Sequence, residues 1–211
     1  MLLKKIELLC ITSNRTDVSY QQQVEQACLG GADMIQFRDN TLHDGEFLKV
    51  AFDLKNICKK YDVLFMINNR VDIAAAVDAD GVHIGQKDLP VEYARKILGS
   101  SKIIGLSASS YEQAELAIKQ YINYIGHGAI YSTGTKADAV TRGLSVLKSI
   151  KQICKNIPVI AIGGIDKTNV EDVIKAGADG VAVVQAVCGA KNIKKEAEEI
   201  KKIIKNIRMN K

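Results

Sequence analysis

The chain has 211 residues, of which 47% are hydrophobic and 25% charged, with a net charge of +5. This balance is ordinary for a globular enzyme, and no apolar stretch approaches the roughly 18 residues of a membrane span. The five cysteines are widely scattered and form no Cys-x-x-Cys pair, which argues against a disulfide framework or a zinc site and favours reduced thiols in the cytoplasm. The apolar segment after Lys4 and Lys5 is too short for a signal peptide.

Short apolar segments alternate with segments of helical periodicity along the chain. The apolar runs predict strands over Glu7–Thr12, Met34–Arg38, Val63–Asn68, Gly81–Gly85, Ile103–Ser107, Tyr121–Gly128, Val159–Gly163 and Gly180–Gln185. The periodic segments predict helices over Gln22–Leu29, Gly45–Tyr61, Val71–Val77, Val91–Leu98, Tyr111–Lys119, Gly143–Lys155, Lys167–Ala176 and Lys191–Lys211. Eight such units predict an α/β fold, a single (βα)8 TIM barrel that occupies residues 1–211 as one domain.

An open, doubly wound sheet is the alternative fold. It would favour a Gly-x-Gly-x-x-Gly sequence after an early strand, and the chain has none. Three turns, Gly30–Asp33, Val77–Gly81 and Lys175–Gly180, each link a helix to a strand, and we expect them to be structural features at the bottom of the barrel.

The second predicted strand ends in polar residues. Gln36 and Arg38 point to the same side of the strand, and Asn40 lies just beyond. Polar side chains buried at the carboxyl end of a strand are costly unless they meet a polar ligand, and the arginine fork suits phosphate or carboxylate. An internal ion pair of Arg38 with Asp39 or Asp88 explains the pattern equally well.

The third and fourth strands also end in polar clusters. Asn68 ends one apolar run and could orient a substrate, whereas Asp88 follows the next run and could hold a hard cation. On strand five, Ser109 and Ser110 are explained as helix caps, but Ser107 lies on the strand itself.

The last three strands end in loops that suit phosphate groups. Thr133, Thr135 and Lys136 offer two hydroxyls and an ammonium group, although a solvated surface loop is the simpler explanation of that segment alone. We interpret His127 as a packed strand residue. Gly163 and Gly164 after strand seven, together with the end of strand eight at Gln185, favour a phosphate site built from backbone amides.

Together these motifs resemble the thiamine phosphate synthase family across almost the whole chain. The resemblance is carried by five segments: Ile35-Gln36-Phe37-Arg38, Ile67-Asn68-Asn69-Arg70-Val71-Asp72, Gly81-Val82-His83-Ile84-Gly85-Gln86-Lys87-Asp88-Leu89-Pro90, Thr133-Gly134-Thr135-Lys136 and Ala161-Ile162-Gly163-Gly164-Ile165. Members of that family are transferases. They join a hydroxymethylpyrimidine diphosphate to a thiazole phosphate, or to its carboxylate, and release pyrophosphate through a carbocation-like transition state.

The resemblance implies a role for each site residue. It places Gln36, Arg38, Asn68, Ser107 and Lys136 at the pyrimidine diphosphate, with Arg38, Lys136 and Ser107 as the catalytic residues. It places Asp88 on Mg²⁺ with Asn69 assisting, and it places Thr133, Thr135, Gly164, Val184 and Gln185 around the thiazole phosphate. Basic side chains and Mg²⁺ supply positive charge where the departing diphosphate becomes negative.

Three positions depart from the family pattern. Asn40 stands where the family usually has a substrate-binding lysine, Asn69 where it usually has a second acidic magnesium ligand, and Gln185 where it usually has serine. Asparagine still coordinates through its carbonyl oxygen but carries less charge, so we expect weaker metal binding.

Other functions are possible. The related thiazole tautomerases use no diphosphate or metal and carry a histidine after strand six, where this chain has Ala129, and a non-catalytic thiazole-phosphate binder is a third possibility. The expected partners are small phosphorylated molecules, with no nucleic acid and no membrane. We interpret the basic face of the tail helix as a solvent-exposed surface rather than a nucleic-acid-binding site, because glutamates interleave with its lysines. The sequence does not determine the oligomeric state.

Overall fold

A computed structural model describes residues 5–134 and 140–209. Within these ranges eight parallel strands close into a barrel, each pairing with the next in the chain and the eighth with the first. The strands are β1 (Leu8–Ile11), β2 (Met34–Phe37), β3 (Leu64–Asn68), β4 (Gly81–Ile84), β5 (Ile103–Ser107), β6 (Tyr124–His127), β7 (Val159–Ile162) and β8 (Gly180–Val183). The helices are α1 (Tyr20–Leu29), α2 (Asp44–Lys60), α3 (Val71–Ala76), α4 (Val91–Leu98), α5 (Tyr111–Ala117), α6 (Gly143–Ile153), α7 (Val170–Lys175) and α8 (Ile193–Met209).

The predicted (βα)8 barrel is confirmed, and one strand boundary was wrong by several residues. Strand six was predicted to begin at Tyr121, but β6 begins at Tyr124 and the Tyr121 side chain is 85% exposed. The reason is Asn123, whose side-chain oxygen accepts a hydrogen bond from the Ile104 N–H at 2.9 Å. This contact makes Asn123 part of the turn before the strand.

The bottom of the barrel repeats one hydrogen-bonding device. An aspartate or asparagine immediately before each even-numbered strand accepts a hydrogen bond from an N–H near the start of the preceding odd-numbered strand. Asp33 bonds Glu7 and Leu8, Asp80 bonds Phe65, Asn123 bonds Ile104 and Asp179 bonds Val159, at 2.7–2.9 Å. These bonds satisfy strand amides that have no ladder partner. They support the predicted structural role of the three turns.

The apolar residues form two separate layers because strand side chains alternate in direction. Outward-facing residues such as Phe65 and Ile104 join the helices in the larger cluster. Inward-facing residues, among them Leu9, Met34 and Met66, fill the barrel interior. The barrel is therefore a packed core over most of its length.

Two glycines make room inside the barrel for large side chains, and a third allows a close approach of backbone. A Cβ atom on Gly105 would lie 2.1 Å from the Tyr124 ring, and one on Gly126 would lie 2.7 Å from the His83 ring. On Gly81 it would lie 2.0 Å from the carbonyl oxygen of Ile103. The two polar rings thus sit inside the barrel only because their neighbours have no side chain.

The C-terminal helix α8 closes the helical layer against β1. It buries Ile193, Ala197, Ile200 and Ile204, at three- and four-residue spacing, which confirms the predicted helix in the tail. Its Arg208 binds Glu7 at 2.8 Å, so part of the basic face of the tail is used in holding the helix to the barrel. Within residues 5–134 and 140–209, no helix is long and apolar enough to cross a membrane.

Candidate active site at the carboxyl ends of the strands

The carboxyl ends of β2 to β5 present a row of polar side chains to the barrel interior. Gln36 on β2 is 3% exposed, and Asn68 on β3 pairs in register with His83 on β4. Ser107 ends β5 on the same inner face, two residues after Gly105, which pairs with His83. The parallel register therefore places Gln36, Asn68 and Ser107 on the inner face at the same end of the barrel. The family resemblance assigns these three residues to the pyrimidine diphosphate.

His83 and Tyr124 connect these residues beneath the rim. His83 Nε2 lies 2.9 Å from Ser107 Oγ, and His83 Nδ1 lies 2.9 Å from the Tyr124 hydroxyl. Burial raises the pKa of the Tyr124 hydroxyl, and a hydrogen bond with Gln36 opposes that shift. The hydroxyl therefore stays protonated, and the network links β2, β4, β5 and β6 across the barrel.

The sequence patterns did not predict this network, because His83 lies within a longer motif and Tyr124 within an apolar strand. The signal that could have found both residues is the presence of glycine at the inward-facing positions 105 and 126. A glycine inside a barrel leaves space for a large residue on the next strand.

Arg38 directly follows β2 and is half-buried, with its backbone fixed and its guanidinium free. Its N–H donates to the Thr12 hydroxyl and its carbonyl accepts from the same hydroxyl, both at 2.9 Å. Within the described residues the guanidinium has no hydrogen bond or ion pair. The alternative ion pairs with Asp39 or Asp88 are therefore not formed, and the cation remains available for a ligand.

Asn69 and Asp88 follow the neighbouring strands β3 and β4. Asn69 has a left-handed backbone (φ +61°), and its N–H donates to the carbonyl of His83 at 2.8 Å. Asparagine is among the few residues that adopt this conformation readily. Asp88 is half-buried and accepts a hydrogen bond from the Gly85 N–H at 2.6 Å. One carboxylate and one amide thus lie at adjacent strand ends.

The ends of β7 and β8 present backbone rather than side chains. Gly163 and Gly164 have φ values of +101° and +63°. A Cβ atom on Gly164 would lie 2.5 Å from the carbonyl oxygen of Ser132, so glycine is required for the close approach of this turn to the loop after β6. In the described part of the chain, the N–H groups of Gly164, Val184 and Gln185 donate no hydrogen bond.

Gln185, one of the three unusual positions, turns its side chain away from these amides. Its amide nitrogen donates to Ser13 Oγ at 3.3 Å. A Cβ atom on Gly189 would lie 2.0 Å from Gln185 Oε1, so Gly189 provides the space that this longer side chain occupies. The Gln185 side chain is therefore held by Ser13, and the backbone N–H of residue 185 has no partner among the described residues.

The remaining predicted residues are Thr133, Thr135, Lys136, Asn40 and His127. Thr133 is half-buried in the loop after β6, whereas Thr135 and Lys136 lie outside the described residues. Asn40 is exposed in the loop after β2. His127 faces the helices and is fully buried, with Nδ1 2.9 Å from the carbonyl oxygen of Ala108, as expected for a packed strand residue.

Comparison with known proteins decides which family this arrangement represents. The family model described as thiamine monophosphate synthase matches residues 8–187. A thiamine-phosphate synthase from Persephonella marina is 48% identical over 183 residues, which cover 87% of each chain. The chain belongs to the thiamine monophosphate synthase family. Another similar protein, the thiamine-phosphate synthase of Pyrococcus furiosus, is 41% identical and the match covers 98% of each chain.

A solved structure agrees with this family membership. The structure of thiamine phosphate pyrophosphorylase from Pyrococcus furiosus superimposes with a TM-score of 0.90 at 40% identity, covering 96% of this chain and 97% of that one. The resemblance inferred from the sequence motifs is thus confirmed. Asn40, Asn69 and Gln185, the three positions that depart from the expected family pattern, lie in the loops that follow β2, β3 and β8.

Proposed function

We infer that this chain is a thiamine phosphate synthase. It transfers the pyrimidine methylene of 4-amino-2-methyl-5-hydroxymethylpyrimidine diphosphate to the thiazole nitrogen of 4-methyl-5-(2-phosphoethyl)thiazole or its carboxylate, and releases pyrophosphate. The observation that carries this proposal is the presence of two unlike anion-binding arrangements on one rim. One consists of side chains after β2 to β5, and the other of unpaired backbone amides after β7 and β8.

The first arrangement suits the pyrimidine diphosphate. Gln36, Asn68 and Ser107 line the interior, where a heterocycle with amino and ring-nitrogen groups would find hydrogen-bonding partners. The unpaired Arg38 guanidinium stands at the edge of this region, and Lys136 is expected to join it from the loop after β6. Positive charge at this edge stabilises the diphosphate as its bond to the methylene breaks.

The second arrangement suits the phosphate of the thiazole. The N–H groups of Gly164, Val184 and Gln185 would donate to its oxygens. The family resemblance assigns Thr133 and Thr135 to the same phosphate. The side-chain amide of Asn169 donates to the carbonyl of Gly164 at 2.8 Å, which fixes the orientation of that turn. Binding both substrates on one rim places the nucleophilic nitrogen near the methylene and lowers the entropic cost of the reaction.

The residues also fit Mg²⁺. Within the described residues no group of three or more histidine, cysteine or acidic side chains could enclose a metal. Asp88 and the Asn69 carbonyl are hard oxygen donors, and Mg²⁺ commonly takes only one or two protein ligands, with the remainder from water and substrate phosphates. When bound, Mg²⁺ would neutralise charge on the departing diphosphate.

The tautomerase alternative is less well supported. It needs a proton carrier after β6, but Ala129 occupies that position, and His127 packs outside the barrel wall. Burial lowers the pKa of His127, and the nearby positive charge of Arg142 lowers it further, whereas the hydrogen bond to the Ala108 carbonyl opposes this shift. The ring therefore remains neutral.

The cytoplasmic location proposed for this enzyme is in keeping with its five free, buried cysteines.

The decisive experiment measures pyrophosphate release with both substrates and Mg²⁺. Synthase activity predicts release that requires both substrates and yields thiamine phosphate. Isomerisation of the thiazole without pyrophosphate release would identify a tautomerase. A thermal shift with thiazole phosphate but no turnover would indicate a non-catalytic binder. An Asp88→Ala variant should lose most of its turnover together with its Mg²⁺ dependence, and unchanged Mg²⁺ dependence would overturn the metal assignment.

A further inference from the structure

The backbone of Arg38 is held by one buried hydroxyl from the neighbouring strand. The β1–β2 ladder ends with the Thr12 N–H donating to the carbonyl of Gln36 at 3.1 Å. Beyond this point the strands diverge. Thr12 is only 1% exposed. Its hydroxyl donates a hydrogen bond to the Arg38 carbonyl and accepts one from the Arg38 N–H, both at 2.9 Å. A side chain thus replaces the missing strand partner at the residue that carries the free cation.

The residue after Arg38 is fixed just as firmly. Asp39 accepts hydrogen bonds from the N–H groups of Thr41 and Leu42 at 2.6 Å, and from the Thr41 hydroxyl at 3.0 Å. The Tyr20 hydroxyl, at the start of α1, donates to the other carboxylate oxygen. These four donors occupy both oxygens of Asp39. The carboxylate therefore orders the loop after β2, and Arg38 beside it in sequence keeps an unpaired guanidinium.

The residue before Arg38 completes the support. Phe37 points outward, and its ring lies 5.2 Å from Tyr20 in an edge-on contact and 4.3 Å from Phe47. Tyr20 therefore contacts both neighbours of Arg38, one through its ring and one through its hydroxyl. Rigid backbone on each side limits where the Arg38 side chain can begin.

We propose that Thr12, Tyr20 and Asp39 are positioning residues that hold Arg38 at the place where a diphosphate binds. This inference rests on the proposed synthase function. Thr12 fixes the Arg38 backbone directly, and Tyr20 keeps the Asp39 carboxylate engaged away from the guanidinium. Without them Arg38 would sample more positions, and Asp39 would be free to neutralise it.

The first test uses Thr12→Val, which keeps the side-chain shape but removes the hydroxyl. Calorimetric titration with inorganic pyrophosphate and Mg²⁺ should show affinity about tenfold weaker. Turnover should fall about ten- to a hundredfold in kcat/KM, because small displacements of a catalytic group cost that much. Thr12→Ser keeps the hydroxyl and should restore both values. Tyr20→Phe should produce a several-fold loss in both assays.

The control for Tyr20 is a second tyrosine–carboxylate pair that also involves α1. Tyr61 follows α2 and its hydroxyl donates to Glu25 on α1 at 2.9 Å. This pair lies at the opposite end of the barrel from Arg38. Tyr61→Phe removes a hydrogen bond of the same type, from a tyrosine hydroxyl to a carboxylate. This substitution should leave pyrophosphate affinity and turnover unchanged.

A double-mutant cycle separates positioning from a general structural effect. In an Arg38→Ala background, Thr12→Val and Tyr20→Phe should have almost no further effect on pyrophosphate affinity. Equal losses with and without Arg38 would overturn the proposal, as would full affinity in both single variants. If Thr12→Val does not fold, the Tyr20→Phe cycle distinguishes these outcomes without it. Failure of the wild-type protein to make thiamine phosphate would refute the proposed function instead, since the pyrophosphate cycle is measured without turnover.

Discussion

The two halves of the rim present different groups to a ligand. After β2 to β5 these groups are side chains, such as Arg38 and Ser107, that lie at or just beyond the strand ends. After β7 and β8 they are backbone N–H groups, brought into place by Gly163 and Gly164 in left-handed conformations. Under the proposed function, the first half places positive charge beside the departing diphosphate, whereas the second provides neutral backbone donors for the phosphate that does not react. The halves should therefore respond differently to mutation.

The largest effect should follow loss of charge on the side-chain half. Arg38→Ala should lower kcat/KM by about two to three orders of magnitude, or about 3–4 kcal/mol, because the contact strengthens as the diphosphate departs. Lys136→Ala should behave similarly. Steady-state pyrophosphate release is the measurement, with circular dichroism to check folding.

A nearby arginine provides the matched control. Arg70 lies at the same end of the barrel, but its guanidinium is already bound to Asp44 and Asp72 at 2.7 Å. Arg70→Ala should change turnover less than about threefold. If Arg38→Ala were as mild as Arg70→Ala, the diphosphate would have to bind elsewhere.

The backbone half should be broken by adding a methyl group rather than by removing a side chain. In Gly164→Ala the new Cβ would lie 2.5 Å from the Ser132 carbonyl oxygen at a φ of +63°. We expect the KM for thiazole phosphate to rise about tenfold and the free energy of unfolding to fall by about 1–2 kcal/mol. Kinetics and urea denaturation measure the two effects.

Gly45→Ala is the comparison for that variant. Gly45 lies in α2 with no atom within 4 Å of an added Cβ. The substitution should raise stability by about 0.5–1 kcal/mol and leave the KM unchanged. An unaltered KM for thiazole phosphate in Gly164→Ala would show that this phosphate does not bind at the backbone half of the rim.

The metal position offers a way to strengthen the side-chain half. Asn69→Asp adds a carboxylate at the adjacent strand end, so the Mg²⁺ concentration needed for half-maximal turnover should fall about three- to tenfold. Titration of Mg²⁺ in the presence of inorganic pyrophosphate should show the same change without turnover. Weaker Mg²⁺ binding in this variant would place residue 69 outside the metal site.

The smallest effect concerns His127, which lies next to both halves but faces away from them. Its folded pKa is depressed mainly by burial, so the unfolded chain binds a proton more readily. Stability contributed by the neutral ring is present above about pH 6.5, and is lost as the pH falls from there towards the folded pKa. His127→Asn should reduce this acid sensitivity in unfolding measurements from about pH 7.5 to about pH 5. A bell-shaped activity profile that disappears in the variant would show instead that the ring takes part in catalysis.

Much of the fold and half of the site could be predicted because both depend on local patterns. Apolar runs that end at polar clusters indicated the strands, and strand periodicity placed Gln36 and Arg38 on one face. The start of β6 was predicted wrongly because of Asn123. Its role as a turn residue depends on a hydrogen bond with Ile104, which lies on another strand. The predicted capping by Ser110 was confirmed, since its hydroxyl accepts from the Gln113 N–H only three residues away.

The sequence by itself determined the alternation of strands and helices, the polar ends of the strands and the glycines after β7, because these are properties of neighbouring residues. Only the tertiary structure decided that His83 and Tyr124 share the barrel interior, that Thr12 holds Arg38 and that the arginine remains unpaired. Those facts depend on the register between strands that are distant in the chain. That register places the inward-facing Gly105 and Gly126 opposite the rings of Tyr124 and His83.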